Sequence, residues 1–309
     1  MKTGPVLVLA CLLGACSAPS PPPASAIAGV QPPAAASASS SARVDQPDEV
    51  VPPTSASQMT AQRIRDMLAG NWRPAADRVR DRYRHPLGTL EFFGVRPDMT
   101  VIEITPGGGW YARILAPLLR DNGQYIAAVF ATPPGRAAGD STLKKLFASD
   151  PKVFGKARIV QFDPRKPVLG RPGSADMVLT FRNVHNWVHA GTAQAMFKAF
   201  YDVLRPGGVL GVVEHRADPG ASLDAVQGSG YLPRAQVVQW ATAAGFRLEA
   251  SSDINANPRD DHHHPKGVWT LPPTLARGAR DKAKYEAIGE SDRMTLRFVK
   301  PANHGDGAR

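Results

Sequence analysis

The sequence predicts a doubly wound α/β domain: a seven-stranded, mostly parallel sheet with one antiparallel strand close to its C-terminal end. Three observations carry that expectation. Short β-branched apolar runs alternate with stretches of helical spacing, the pattern of parallel strands buried on both faces. The first run ends in a turn of three consecutive glycines that opens a helix. Two more runs follow the fifth strand, separated by a long polar loop, and they close the sheet.

Taken in order, Gln58 to Met67 and Ala75 to Tyr83 read as helices interrupted by Gly70 and Pro74. Met99 to Ile104 is the first strand. Trp110 to Leu119 has helical spacing through Tyr111, Ile114, Leu115 and Leu118. Tyr125 to Phe130, Ala157 to Phe162 and Asp176 to Phe181 are the next three strands. A helix over Thr192 to Leu204 ends at Arg205-Pro206-Gly207-Gly208, a stop signal and turn, and Val209 to Val213 is the fifth strand. Pro233 to Ala244 is a helix with proline at its start and Gly245 just past its end. Phe246 to Ala250 and Arg293 to Val299 supply the last two strands. No internal repeat or boundary splits residues 58–303, which read as one domain, with 304–309 a disordered tail.

Ahead of that domain the chain changes character. Lys2, the apolar run Val6 to Leu13 and the small residues Gly14-Ala15-Cys16 form a charged region, a short apolar region and a cleavage point. The run is too short to span a bilayer as a helix. Leu13-Gly14-Ala15-Cys16 resembles a bacterial lipobox, which implies that residues 1–16 are a leader, with Cys16 lipidated; Cys11 leaves too little apolar run to serve. Ser17 after the cysteine implies export to the periplasmic face of the outer membrane. Residues 17–57 are almost entirely Ala, Pro and Ser, cannot bury enough surface to fold, and read as a disordered tether with a reach of ~100 Å.

Both cysteines lie in the leader, so the body has no thiol chemistry and no cysteine zinc site. Lys and Arg outnumber Asp and Glu by 37 to 27. Arg63, Arg65, Arg73, Arg78, Arg80, Arg82 and Arg84 are closely spaced, which suits either anionic groups or a solvated helix face. No basic motif with interleaved aromatics points to nucleic acid.

The sharpest chemical signal is Val101-Ile102-Glu103-Ile104-Thr105-Pro106-Gly107-Gly108-Gly109-Trp110-Tyr111. Glycines let the backbone turn tightly and approach a ligand, and the helix beyond offers unpaired N–H groups. Two ligands fit. Gly107-Gly108-Gly109-Trp110-Tyr111-Ala112 satisfies the loose dinucleotide pattern, but Ala128-Val129-Phe130 closes the second strand without the acid that NAD needs. For S-adenosylmethionine, Glu103 stands where an acid holds the turn and reaches toward the ammonium of the methionine moiety.

From about Arg82 to Pro301 the chain resembles a family of bacterial methyltransferases within the class I, Rossmann-like S-adenosylmethionine-dependent superfamily. The resemblance is carried by Tyr83-Arg84-His85-Pro86, the glycine turn, Phe181-Arg182-Asn183-Val184-His185-Asn186-Trp187, Gly211-Val212-Val213-Glu214-His215-Arg216 and Asn257-Pro258-Arg259-Asp260-Asp261. It implies S-adenosylmethionine as cofactor, held by Glu103, Thr105, Pro106, Gly107, Gly108, Gly109 and Arg182. Thr105 replaces the superfamily's first glycine, and the missing acid after the second strand leaves Asp163, closing the third, either to contact adenine or only to start a turn.

Ligands of an open α/β sheet sit beyond the carboxyl ends of the strands at the switch point. Arg182, Asn183, His185 and Asn186 follow the fourth strand there. His185 is the candidate general base for an acceptor that must lose a proton, with Asn183 and Glu214 beside it. His215 and Glu214 are expected to shape the acceptor pocket, His85 to close it or to serve structure. Trp187, Trp110 and Phe181 suggest a small apolar or aromatic acceptor. Asp260-Asp261-His262-His263-His264 has the composition of a metal cluster, but adjacent histidines cannot all face one ion, and no metal is expected. An exported enzyme with a cytoplasmic cofactor is a conflict, and a non-catalytic binding module on a lipid anchor is the rival expectation.

Overall fold

The computed structural model describes residues 55–132 and 141–302. The leader with Cys16, the tether up to residue 54 and the tail from 304 lie outside the described residues.

Four helices lead into the sheet: α1 (Ala56–Ala69), α2 (Ala75–Arg78), α3 (Asp81–Arg84) and α4 (Pro86–Phe93). Then come β1 (Thr100–Ile104), α5 (Ala112–Leu118), β2 (Gln124–Phe130), α6 (Ser141–Ser149), α7 (Pro151–Phe154) and β3 (Arg158–Phe162). The second half runs β4 (Ala175–Phe181), α8 (Val184–His189), α9 (Ala193–Val203), β5 (Leu204–His215), α10 (Arg234–Ala243), β6 (Arg247–Ser252), α11 (Lys282–Ile288) and β7 (Arg293–Val299).

All seven expected strands form one sheet in the order β3-β2-β1-β4-β5-β7-β6. The strands from β3 to β5 pair in parallel, whereas β7 runs antiparallel to both β5 and β6. The chain leaves β1 toward β2 and β3, then returns to β4 on the other side of β1. The switch point therefore lies between β1 and β4.

Successive residues of a strand point to opposite faces, and here each face has its own core. Ile102, Val178 and Leu210 pack with Phe197 and Phe200 of α9 and Val237 of α10. Val101, Met177 and Leu179 pack on the other side with Ile114 and Leu115 of α5, Ile64 of α1 and Phe93 of α4. Burial on both faces is why these strands read as unbroken apolar runs.

Ser55 and Gln58 cap α1 reciprocally, each side chain taking the other's backbone N–H. Trp72 Nε1 then donates to the Arg113 carbonyl of α5 at 2.8 Å, fixing the leading helices beside the glycine turn. The expected Ala75–Tyr83 helix is two single turns with Val79-Arg80 between them. Within β5, Leu204 pairs Ala175 and Val209 pairs Met177, so Arg205 to Gly208 loop out of the ladder as the expected turn.

Candidate active site

The end of β1 delivers Glu103, buried at 2% exposure, beneath the glycine turn. Its Oε2 accepts from the Tyr125 hydroxyl at 2.6 Å across β2; its Oε1 takes no hydrogen bond from the protein. Burial pushes the carboxyl up to about 7, against the Tyr125 bond and the charge of Arg84, which pull it down. Thr105 follows with φ +43°, a left-handed conformation that a β-branched residue adopts only under strain. Its N–H donates to the Ala128 carbonyl at 2.7 Å, and its buried Oγ1 has no partner.

The three glycines divide the work. A side chain at Gly107 or Gly108 would meet nothing within 4 Å, and both line a cavity of about 430 Å³. A Cβ on Gly109 would come within 2.7 Å of Leu146 on α6. Gly109, which the sequence suggests as a cofactor contact, faces α6 and does not line the cavity. Asp163 does not line it either: its exposed carboxylate accepts from the Arg165 N–H at 2.9 Å, a turn-forming bond.

Across the switch point, Arg182 is also left-handed, at φ +62°. Its N–H donates to the Val213 carbonyl at 2.7 Å. Asn183 Nδ2 donates to the Ile104 carbonyl at 2.9 Å and so clamps the end of β4 to the end of β1. Glu214, fully buried, accepts from the Val184 N–H at 2.6 Å and caps α8. Its Oε1 accepts from the His215 N–H at 2.8 Å and lies 3.0 Å from His185 Nδ1. A carboxylate there holds the Nδ1–H tautomer of His185 and leaves Nε2 with the lone pair.

His215 sits beside His185, ring centroids 5.2 Å apart, with Nδ1 2.5 Å from Ser291 Oγ. Burial, then the neighbouring cations, hold His215 well below the ordinary imidazole range. Trp269 lies edge-on to His185 at 5.9 Å and lines the same cavity.

One wall of the cavity is basic. Arg80, Arg84 and Arg182 line it together with Glu290, whose carboxylate accepts from Arg80 Nε at 2.6 Å and Arg84 Nε at 3.3 Å. Burial alone would raise Glu290, but the surrounding arginines hold it down at about 2. The Arg-rich segment is thus no plain solvated face: Arg73 is buried on Asp81, and Arg84 is buried over the Trp110 ring.

Corrections to the sequence reading follow from burial. Trp187 is 1% exposed against Phe197 and Phe200, so it belongs to the core and not to the pocket. Trp110 and Phe181 do line the cavity, Phe181 stacked on Tyr111 at 3.6 Å. His85 is exposed and lies outside the lining. Tyr125, Glu290, Ser291 and Trp269 were not singled out in the sequence; Glu290, Ser291 and Trp269 come from loops far along the chain with no motif around them.

Two groups have ligand-like composition among the described residues: His185, Glu214 and His215, and Asp260, Asp261 and His264. In the first, Glu214 already takes the N–H groups of Val184 and His215 and the His185 ring. In the second, Asp260 accepts from Tyr231, His264 and the backbone N–H groups of His262 and Asp292. In each group the central carboxylate is thus held by several protein hydrogen bonds.

The strand order with reversed β7 defines the class I methyltransferase fold. No family model matches the chain, and no curated protein matches it in sequence. Among solved structures, the [4+2]-cyclase SpnF is similar at TM-score 0.51 and 18% identity, over 80% of this chain and 96% of that one. A SAM dependent methyltransferase from Aquifex aeolicus is similar at TM-score 0.49 and 12% identity, over 78% and 98%. An arsenic(III) S-adenosylmethionine methyltransferase from Chlamydomonas reinhardtii gives TM-score 0.47 and 15%, over 79% and 74%. At such identities the likeness speaks to the fold alone.

Proposed function

We propose that the protein is an S-adenosylmethionine-dependent methyltransferase acting on a small-molecule acceptor, with His185 as general base. The observation that carries this reading is convergence. The open glycines Gly107 and Gly108, Glu103 and His185 all border one cavity of about 430 Å³, within the range of small-molecule sites, and Glu214 holds His185 from behind.

The residues present fit the cofactor. Gly107 and Gly108 leave their backbone uncovered, Thr105 Oγ1 is a buried hydroxyl awaiting a partner, and Glu103 offers Oε1 to an ammonium. When bound, S-adenosylmethionine would supply an electrophilic methyl group. The chain's own part is positioning and proton removal. Glu103 and the glycine turn fix one partner. Glu214 holds His185 Nδ1, so that Nε2 takes the proton an acceptor hydroxyl or amine must lose. Asn183 keeps the ends of β1 and β4, and with them the two halves of the site, in register.

Calorimetric titration of S-adenosylmethionine, S-adenosylhomocysteine and NAD into the full chain tests the reading. Micromolar binding of the first two and none of NAD is expected; failure of both sulfur ligands to bind overturns it. A cofactor-bound chain without turnover on any acceptor would favour the binding-module reading, for which the absence of a carboxylate after β2 speaks. Export and anchoring through Cys16 belong to the same proposal: Cys16→Ser should move the protein from the membrane fraction to the soluble one.

A further inference from the structure

The basic wall of the cavity has more positive charge than the protein itself answers. Arg80 between α2 and α3, Arg84 ending α3, Arg182 after β4 and Arg293 opening β7 surround one carboxylate, that of Glu290. Of the other acids nearby, Asp77 lines the same cavity, its buried Oδ2 without a hydrogen bond and 3.4 Å from Arg113; Asp81 pairs with Arg73, and Glu103 is bonded to Tyr125 with its carboxyl raised to about 7.

The hydrogen bonds sharpen the imbalance. Arg293 is spent on the Ser291 and Tyr83 carbonyls, each at 3.0 Å. Arg84, only 3% exposed, bonds through Nε alone, and its two terminal nitrogens have no acceptor among the described residues. Arg80 Nη2 is buried without a partner. The Arg182 guanidinium makes no side-chain hydrogen bond, although it lines the cavity on a strained, left-handed backbone. Burial first, then mutual repulsion, pushes Arg84 down to about 9 and Arg182 to about 10. Guanidinium forks left unpaired along a cavity wall are an arrangement that carboxylates and phosphates satisfy, often bidentately. His185 lies three residues beyond Arg182, and Ser291 and His215 border the same wall.

We propose that Arg84, Arg182 and Arg80 form an oxyanion subsite that takes a carboxylate or phosphate of the methyl acceptor and sets its reactive atom beside His185. The word acceptor rests on the methyl-transfer reading; the anion subsite stands on its own geometry. The acceptor is then an anion with a flanking apolar part, the latter against Trp269, Val268 and Pro272, and not the purely apolar or aromatic molecule that the tryptophans alone suggest.

The test is thermal denaturation of the full chain against inorganic phosphate and, separately, succinate, at constant ionic strength, with and without saturating S-adenosylhomocysteine. Wild type, Arg182→Gln and, as a charge control, Arg96→Gln are compared; Arg96 is 52% exposed, paired with Asp98 at the opposite end of β1. Saturable stabilisation by at least one anion is expected. It should persist with S-adenosylhomocysteine bound, weaken at least ten-fold in Arg182→Gln and remain unchanged in Arg96→Gln. S-adenosylhomocysteine affinity should change less than two-fold in Arg80→Gln, at a side chain 22% exposed, which also replaces Arg182→Gln should that variant fail to fold. Anion binding that competes with S-adenosylhomocysteine, with both lost in Arg182→Gln, would overturn the proposal by giving the arginines to the cofactor's own carboxylate. Absence of saturable stabilisation would overturn it too. If the anions stabilise but S-adenosylhomocysteine never binds, the subsite survives and methyl transfer falls.

Discussion

Under the proposed function, in which Glu103 meets the ammonium of the cofactor, binding is a proton-coupled event. With its carboxyl pushed up to about 7, Glu103 is protonated in about nine molecules of ten at pH 6 and about one in ten at pH 8. An ammonium ligand selects the ionised form, so binding must expel the proton. Below the titration of the ligand's own α-amino group, which must stay protonated, the count is that of Glu103: a net release of about 0.8 proton per site at pH 6.5 that falls to about 0.1 at pH 8. Affinity should fall about eight-fold from pH 7.4 to pH 6. Calorimetry of S-adenosylhomocysteine binding in buffers of different ionisation enthalpy reads the proton count directly. Glu103→Gln should abolish the release at pH 6.5 and weaken binding roughly 30-fold, for a lost charged hydrogen bond of about 2 kcal/mol. The same substitution relieves the fold. A carboxyl raised from 4.5 to about 7 costs stability progressively as pH rises between those values, up to roughly 3 kcal/mol above pH 7. Glu103→Gln should therefore be at least as stable as wild type at pH 8 while binding poorly. A proton count of zero at pH 6.5 in the wild type would refute the reasoning.

Three further outcomes are expected. Gly108→Val should leave stability within about 0.5 kcal/mol, since open space faces it, yet block cofactor binding; Gly109→Val should lower the denaturation midpoint because Leu146 is in the way. Thr105→Gly should raise the urea midpoint, because release of left-handed strain and of an orphaned hydroxyl outweighs the ~1 kcal/mol entropic cost of glycine. His262, bonded to Asp292 first and Asp218 second, is raised to about 9. Its contribution is present in full below the ordinary imidazole value and fades as pH rises toward and through 9. After solvent screening that loss is about 1–2 kcal/mol, which urea titrations at pH 6.5 and 9.5 should show in wild type and not in His262→Gln.

The strands were legible because a parallel sheet buried on both faces leaves runs such as Val101-Ile102 and Val178-Leu179 without polar interruption. Helix α4 was not legible. Pro86-Leu87-Gly88-Thr89-Leu90-Glu91-Phe92-Phe93 carries a mid-helix glycine, tolerated because Ile254 packs where a side chain would be. That Glu103 ends β1 beneath the glycine turn was legible because the arrangement is local in sequence. The task of Glu214 was not: it caps one helix and orients a histidine, and both depend on β4 and β5 lying side by side. The basic wall was half visible. Arg80 and Arg84 stand together in the sequence, but nothing in the spacing said how they are paired or that Arg182 joins them from after β4, and Glu290, Ser291 and Arg293 arrive from more than 200 residues beyond Arg80 or Arg84.

That late arrival fixes the order in which the molecule can become competent. Among the described strands β6 has no neighbour but β7, and β7 comes after all the others in the sequence. Without it β6 has no place in the sheet, β5 keeps an open edge, and the cavity lacks Glu290 and Ser291 just ahead of β7. Closing the sheet and finishing the basic wall are one event, sealed when Lys300 Nζ reaches the Tyr201 and Leu204 carbonyls. The strand that joins β6 to the sheet and the carboxylate that sits among the arginines are therefore neighbours in the sequence, so one segment completes both.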